Sequence, residues 1–480
     1  MTRYDLVILG GGTAGMTAAV GAAGVGARVL LAEEHRTGGD CLWTCCVPSK
    51  SLIAAARRAH DMRTADRVGL APAEPDVDLA RIMGQVHHNI ATIEPHDAPD
   101  RLREKGVEVA PHRARFLRPG QIQVGDAQVR YRAALIATGS TPALPPVDGL
   151  AEAEPLTSDT LWDLGELPDR LVVLGGGPIG CELGQAFARL GSHVTIVEMA
   201  DHLLPAATPE AGALIAEVLR AEGLDVRTAT RAQRVEDGRL VVVGPDGTED
   251  VLDSDRILVA TGRHPRTREL GLERVGVDTD DRGHVTVDDA MRTTGRNIFA
   301  AGDATGRMPF THVAGAQGAL VVTNALFGLR RTLEEDQIPW AIFTDPEVAH
   351  VGLDEAEARQ RWGDEAVIAR HGYDAVDRAI VGDHTAGFST LVADPKGRLV
   401  GATIVGESAG ESIAEMVAWI HEGARLRDMA GAIHAYPTLT EGPWRAALEH
   451  LRGRYLSPSV RRWTRPVLWT ARRLDRPSWP

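Results

Sequence analysis

One pattern occurs twice along this chain and restricts its fold more than anything else in it. Near the N-terminus the apolar run Leu6-Val7-Ile8-Leu9 leads into Gly10-Gly11-Gly12-Thr13-Ala14-Gly15, followed by the helix-forming stretch Met16 to Val20. A second run, Arg28-Val29-Leu30-Leu31-Ala32, then delivers Glu33, 23 residues after Gly10. The same order returns as Leu171-Val172-Val173-Leu174, Gly175-Gly176-Gly177-Pro178-Ile179-Gly180 and His193-Val194-Thr195-Ile196-Val197, ending at Glu198, again 23 residues from its first glycine. Such a loop needs glycine for three reasons. Gly10 and Gly175 make a tight turn, Gly12 and Gly177 let the backbone approach a pyrophosphate, and Gly15 and Gly180 let helix pack on strand. The helix N-terminus then faces phosphate charge, and the acid accepts hydrogen bonds from a ribose diol. One glycine loop alone says little, since such turns also serve purely structural ends; two with matching strand, helix and acid spacing predict two dinucleotide sites.

At roughly 100–200 residues per domain, 480 residues allow two to four domains. Hydrophobic residues at 44% and charged residues at 25% exclude a disordered or collagen-like chain. No apolar run approaches the roughly 18 residues of a membrane-spanning helix. A net charge of −14 argues against nucleic acid as the main partner. Residues 445–480 depart from that balance, with nine Arg against Glu449 and Asp475. The tail from 452 onward interleaves Trp463, Val467, Leu468 and Trp469 with arginines, which suits either peripheral contact with an anionic membrane or docking on the chain's own acidic surface. Prolines at 458, 466 and 477 are expected to break any long helix there. Asp5 and the strand that runs straight into glycines read as a buried element, not a secretory leader, so a reducing cytoplasm is the expected location.

Three of the four cysteines, Cys41, Cys45 and Cys46, fall within six residues, and Cys181 stands alone. That clustering suits redox or metal chemistry better than a disulfide framework. The segment Gly38-Gly39-Asp40-Cys41-Leu42-Trp43-Thr44-Cys45-Cys46-Val47-Pro48-Ser49-Lys50 resembles the G-G-x-C-x4-C-x-P-S-K redox site of FAD-dependent pyridine nucleotide-disulfide oxidoreductases. The resemblance implies an enzyme with FAD and a nicotinamide dinucleotide. It implies that Cys41 and Cys46 form the redox disulfide, with Cys46 the thiolate against the flavin and Cys41 the thiol that attacks substrate. The pair can approach if the segment winds into a helix with a distorted first turn. A helix N-terminus together with Lys50 would lower the thiol pKa. Cys45 departs from the family pattern, where glycine is usual; it is either a third redox or metal-binding thiol or a small residue without chemistry. Trp43 stands where many relatives carry Asn and would shape access.

The resemblance extends along nearly the whole chain. Ala137-Thr138-Gly139-Ser140 and Ala260-Thr261-Gly262-Arg263 resemble the family's paired A-T-G segments, and Asn297-Ile298-Phe299-Ala300-Ala301-Gly302-Asp303 its second FAD motif, which implies that Asp303 accepts a hydrogen bond from the ribityl chain. Ala114 falls where relatives contact adenine through backbone. Glu182 matches the glutamate that pairs with the lysine of P-S-K, here Lys50, one of only three lysines against 49 arginines. Cys181 beside it reads as buried filler. Glu198, with no Arg in the six residues that follow, favours NADH over NADPH, because a carboxylate repels a 2′-phosphate.

Toward the C-terminus His434-Ala435-Tyr436-Pro437-Thr438-Leu439-Thr440-Glu441 resembles the family's His-Pro-Thr-x-x-x-Glu, whose His serves the other subunit's thiol. Tyr436 replaces that His, as in the mercuric reductase-like branch, and with an ordinary pKa of about 10 it is a poor base at neutral pH. His434 reads as structural. The expected architecture is α/β, with two Rossmann-like doubly wound domains for FAD and NAD and a C-terminal α+β dimerisation domain. Its expected parts are FAD-binding residues 1–150, NAD-binding residues 151–265, a second FAD-binding part 266–338, an interface domain 339–451 and the basic tail 452–480. The expected protein is a homodimeric flavoprotein that reduces a low-molecular-mass disulfide or a thiol-bound metal ion such as Hg(II), with no resident metal. The reverse oxidation of a dithiol, direct quinone reduction by flavin and a membrane-docked redox sensor are the alternatives.

Overall fold

The computed structural model describes residues 1–455 and 458–473. The chain divides into two compact units, Met1–Glu334 and the residues from Glu335 on.

The first unit is built on two parallel sheets. In one, the strands Val107–Ala110, Val29–Ala32, Arg3–Leu9 and Ala127–Ile136 lie side by side, and the short strand Ile298–Ala300 returns from far along the chain to pair in parallel with the end of Ala127–Ile136. An antiparallel pair, Ala114–Arg118 and Gln121–Val124, extends the sheet. Leu6, Val7, Ile8 and Leu9 are all buried, as expected of a parallel strand covered on both faces; each contributes about 1.5–3 kcal/mol by burial. The helices Thr13–Gly24 and Thr311–Phe327 cover one face and press together so closely that a Cβ on Gly318 would strike the Ala14 carbonyl.

The second parallel sheet orders the strands Asp225–Arg227, His193–Val197, Arg170–Leu174 and Arg256–Val259, with a three-stranded antiparallel meander over 231–252 beside it. The chain passes between the two sheets through Ser140–Pro142 and Arg263–Pro265, which pair antiparallel.

In the second unit five antiparallel strands run in the order Trp340–Ile342, Glu347–Gly352, Leu399–Gly406, Phe388–Ala393, Val367–Gly372. The helix Ala409–His421 packs its apolar side, Ile413, Met416 and Ile420, against this sheet around the buried Tyr373. The tail departs from the sequence expectation. Pro458–Arg473 is one 16-residue helix with Pro466 inside it. Pro458 opens the helix, where a missing N–H costs nothing, and Pro466 removes one intrahelical bond without ending the helix. Residue 477 lies outside the described residues. No described helix is long and apolar enough to cross a membrane.

Candidate functional site

The two glycine loops fold alike. Gly10 and Gly175 adopt φ of +109° and +105°, and a side chain on either would run into the carbonyl of Ala137 or Ala260. A Cβ at Gly15 or Gly180 would strike the carbonyl of Gly10 or Gly175, so helix can meet strand only without one. Glu33 accepts hydrogen bonds from the backbone N–H of Gly11 at 2.7 Å and of His35 at 2.8 Å. Glu198 does the same with Gly176 at 2.6 Å and Ala200 at 2.7 Å. Each acid therefore fixes its loop while keeping lone pairs for a ribose. Gly139 and Gly262, with φ of +69° and +130°, turn the chain just after the strands Ala127–Ile136 and Arg256–Val259.

The loops differ in what lies over them. Gly39 sits against Gly12, where a Cβ on Gly39 would come within 2.7 Å of the Gly12 Cα, whereas a Cβ on Gly177 would meet open space. A cavity of about 590 Å³ runs from the first loop past Gly10, Glu33 and Ala114 to Thr138, His264 and Arg282. Its size and its mixture of bare backbone, carboxylate and guanidinium groups fit the adenosine end of a dinucleotide.

The thiols lie where the first loop is roofed. Instead of one helix with a distorted first turn, the segment forms two, Gly39–Trp43 and Cys46–Arg63. The N–H groups of Thr44 and Cys45 both donate to the Asp40 carbonyl, at 2.9 and 2.7 Å, which terminates the first helix and lets the second start at Cys46. All four cysteines are free thiols. Cys46 sits between the other two: hydrogen bonds from Cys41 and then Cys45 pull its pKa far below the ordinary thiol value, aided by Thr311 and Lys50 against the opposing effect of burial. The same hydrogen bonds to Cys46, followed by burial, push the Cys41 and Cys45 thiols up. These hydrogen bonds favour the thiolate on Cys46 over the other two. The Thr311 hydroxyl lies 3.2 Å from its sulfur. Lys50, one helical turn further along the same face, donates to Glu182 Oε2 at 2.8 Å, and Glu182 is buried. Cys181 points away, with its thiol on the Gly176 carbonyl and its pKa raised by burial.

Two residues, Thr311 and Arg263, join this site that sequence reasoning did not assign to it. Thr311 is 265 residues from Cys46, and no spacing rule links them. Arg263, immediately after Gly262, donates to Ser140 Oγ at 2.7 Å, to Ser158 Oγ at 3.1 Å and to Asp40. Asp40 is paired as well with Arg266 at 3.4 Å. Asp303 accepts from Ser140 Oγ at 2.6 Å, so Ser140 connects Arg263 to the second FAD motif. The position of Arg263 beside the A-T-G segment was the one available signal.

In the second unit Tyr436 is 70% exposed, and its hydroxyl donates to Asp377 Oδ2 at 2.8 Å instead of to Glu441. That hydrogen bond, and then the charge of Asp377, push the phenol pKa up. Arg445 links the two acids, 3.2 Å from Glu441 Oε1 and 3.6 Å from Asp377. Glu441 is buried, and its Oε2 has no hydrogen-bond partner. His434 is held structurally, with Nε2 2.8 Å from Glu415 and its ring against Trp444. Although the sequence named no metal ligands, Asp345, His384 and Glu407 bring three ligand-type atoms within 4.8 Å of one another, the one such group among the described residues.

Comparison with known proteins identifies the family. Residues 4–318 match the pyridine nucleotide-disulphide oxidoreductase family, and residues 338–447 match the dimerisation domain of the same family. The chain is 38% identical over 455 residues to a mercuric reductase from Streptomyces lividans, covering 92% of this chain and 94% of that protein. It is 36% identical over 455 residues to a dihydrolipoyl dehydrogenase from Thermus scotoductus, covering 93% and 97%. Among solved structures, LpdA from Mycobacterium tuberculosis superposes with a TM-score of 0.84 at 28% identity, covering 94% of this chain and 99% of that one. The Cu(II) complex of the HOCl-induced flavoprotein disulfide reductase RclA from Escherichia coli gives 0.82 at 27%, covering 94% and 100%. The family is FAD- and NAD(P)H-dependent. With its paired glycine loops, thiol cluster and interface domain, the chain belongs to the pyridine nucleotide-disulphide oxidoreductase family.

Proposed function

We propose that this enzyme uses NADH to reduce a thiol-bound soft metal ion, with Hg(II) as the type case. The observation that carries the reading is the three-thiol cluster, in which Cys41 and Cys45 both hydrogen-bond Cys46 and favour its thiolate. Gly10, Gly12, Gly15, Glu33, Ala114, Gly139, Lys50 and Asp303 would hold FAD, and Gly175, Gly177, Gly180, Glu198 and Gly262 would hold the nicotinamide dinucleotide. Bound FAD supplies the two-electron link between nicotinamide and thiols.

Cys46 would be the thiolate that exchanges electrons with this group, supported by the Thr311 hydroxyl and the Lys50 ammonium, which Glu182 positions. Cys41 is the interchange thiol that engages substrate. Cys45 adds a third soft ligand beside Cys46, which a disulfide substrate does not need and a thiophilic ion uses. For the metal, NADH gives two electrons to the thiolate-bound Hg(II), yielding Hg(0), NAD⁺, a proton and the two freed thiolates. A low-molecular-mass disulfide would instead take the two electrons and two protons and leave as two thiols. Dithiol oxidation is disfavoured, because it needs a base near Cys41. Tyr436, with its pKa raised by Asp377, is a worse base than free tyrosine. The matched dimerisation domain supports a homodimer, in which Tyr436 and Glu441 of one subunit serve the partner's thiols as a proton donor and a supporting carboxylate. Glu198 supports NADH over NADPH.

The test is steady-state reduction of Hg(II)–thiolate by Cys41→Ser and Cys45→Ala holoenzymes beside quinone reduction as a control. Cys41→Ser is expected to lose metal reduction by about 10³-fold or more while quinone turnover persists. Cys45→Ala is expected to lose about tenfold in metal reduction and nothing with a small disulfide. Full metal reduction by Cys41→Ser would make the thiols bystanders to flavin-direct reduction and overturn the reading.

A further inference from the structure

The helix Pro458–Arg473 lies beyond the matched dimerisation domain, which ends at residue 447. It is strongly basic as well as partly apolar. Within its 16 residues are five arginines and no acidic residue, in a chain whose net charge is −14.

At 100° per residue, Val460, Trp463, Val467 and Ala471 line one side. Leu468 borders that side, while Arg462, Arg465, Arg472 and Arg473 occupy the other. Trp463 is 82% exposed, Val467 67% and Leu468 53%. On the basic side the Arg473 guanidinium stacks over the Trp469 ring at 3.8 Å, an arrangement that keeps a large ring beside charge at a polar boundary. Contiguous exposed apolar side chains of this size mark a binding surface.

We infer that Pro458–Arg473 is an interfacial helix that docks the enzyme on an anionic lipid surface, with Trp463, Val467 and Leu468 entering the headgroup boundary and the arginines facing lipid phosphates. Three observations select this occupant. A 16-residue helix is about 24 Å long, which suits lying in the interface plane, where a large apolar–polar contrast is what binds. The chain's own acidic surface would pair the arginines but leave Trp463 and Val467 in water. A second copy of the helix would bring five arginines against five.

The experiment is co-sedimentation of the full-length holoenzyme with phosphatidylglycerol-containing vesicles and with pure phosphatidylcholine vesicles, at low and high salt, followed by tryptophan fluorescence. The expected result is binding to the anionic vesicles with a blue-shifted emission, weakened by salt. Each of Arg462→Gln and Arg465→Gln is expected to lower the partition coefficient about fivefold. Trp463→Asp/Val467→Asp is expected to abolish binding while flavin content and NADH turnover in solution stay unchanged. Both positions are solvent-exposed, so the variant retains the fold where a truncation need not. Absence of binding to anionic vesicles overturns the inference. Binding that the double variant retains, or binding equal on neutral vesicles, does so too. A fall in molecular mass of the double variant without any lipid effect assigns the face to a second copy and equally overturns it.

Discussion

The two nucleotide-binding regions are built from the same parts and differ in their roofs. Residues 3–33 and 171–198 share strand, glycine turn, helix and a carboxylate that ties down the second glycine's N–H at 2.7 and 2.6 Å. Over the first loop lies the thiol segment, with Gly39 pressed on Gly12; over the second, Gly177 faces open space. A roofed loop suits a nucleotide that stays, and an open one suits a nucleotide that exchanges at every turnover. The thiol segment therefore has two roles from one position: it covers the first site and presents Cys46 beside it. The second copy has no such segment and needs none.

The largest effect is expected from filling each loop's outer face. Gly39→Ala sets a Cβ against the Gly12 Cα at a φ of +59°, and the combined clash and backbone strain are expected to cost several kcal/mol, on the order of 3 or more. The purified variant should have lost most of its flavin absorbance. Gly177→Ala should keep its flavin and raise the KM for NADH about tenfold, because the added Cβ meets the approaching pyrophosphate. Equal flavin loss in both variants would break the comparison.

A smaller effect separates the sites by pH. Because Cys46 is held below the ordinary thiol pKa of about 8.5, its thiolate stabilises the reduced fold fully above that pH, and the gain declines as pH falls. Cys41 and Cys45 act oppositely: held above the ordinary value, they stabilise below about pH 8.5 and lose this as pH rises. Reduced enzyme should therefore be most stable near pH ~8.5, losing up to about 1.4 kcal/mol per pH unit on the acid side. Thermal melts of reduced protein against Cys46→Ser from pH 5 to 9 measure it. The long-wavelength thiolate–flavin absorbance should persist at pH 6, and its loss with a midpoint near 8.5 would refute the assignment of charge to Cys46.

The smallest effect is expected at the acid the two loops share. Glu198→Gln keeps the shape but weakens two charge-assisted backbone hydrogen bonds, each worth about 1.5–3 kcal/mol at most. The KM for NADH should rise about three- to tenfold, with a smaller or no rise for NADPH, because the carboxylate no longer repels its 2′-phosphate. An equal rise for both would show that Glu198 only braces the loop.

Local patterns set by chain neighbours were readable directly. The glycine loops and their acids and the thiol cluster follow from residues whose geometry is fixed by spacing within one strand–turn–helix unit, whereas the Lys50–Glu182 pairing, across 132 residues, was legible only through the family resemblance. What depends on elements brought together from far along the chain was not readable. Thr311 reaches Cys46 only because a helix from beyond the second FAD motif packs on the first glycine helix. Arg263 gathers Asp40, Ser140 and Ser158 only because two connecting strands pair. The Tyr436 hydroxyl finds Asp377, 59 residues away, instead of the nearby Glu441, because the short Asp377–Val381 helix presents that carboxylate to it. The tail's prolines argued against a helix by local propensity, yet the chain is helical there: Pro458 opens the helix, where its missing N–H is free, and Pro466 removes one intrahelical bond without ending it. Sequence alone determined which chemistry this protein carries and which cysteines carry it; the tertiary structure decided which distant groups surround them, because Thr311 and Arg263 reach the thiol segment only through packing of elements far apart in the chain.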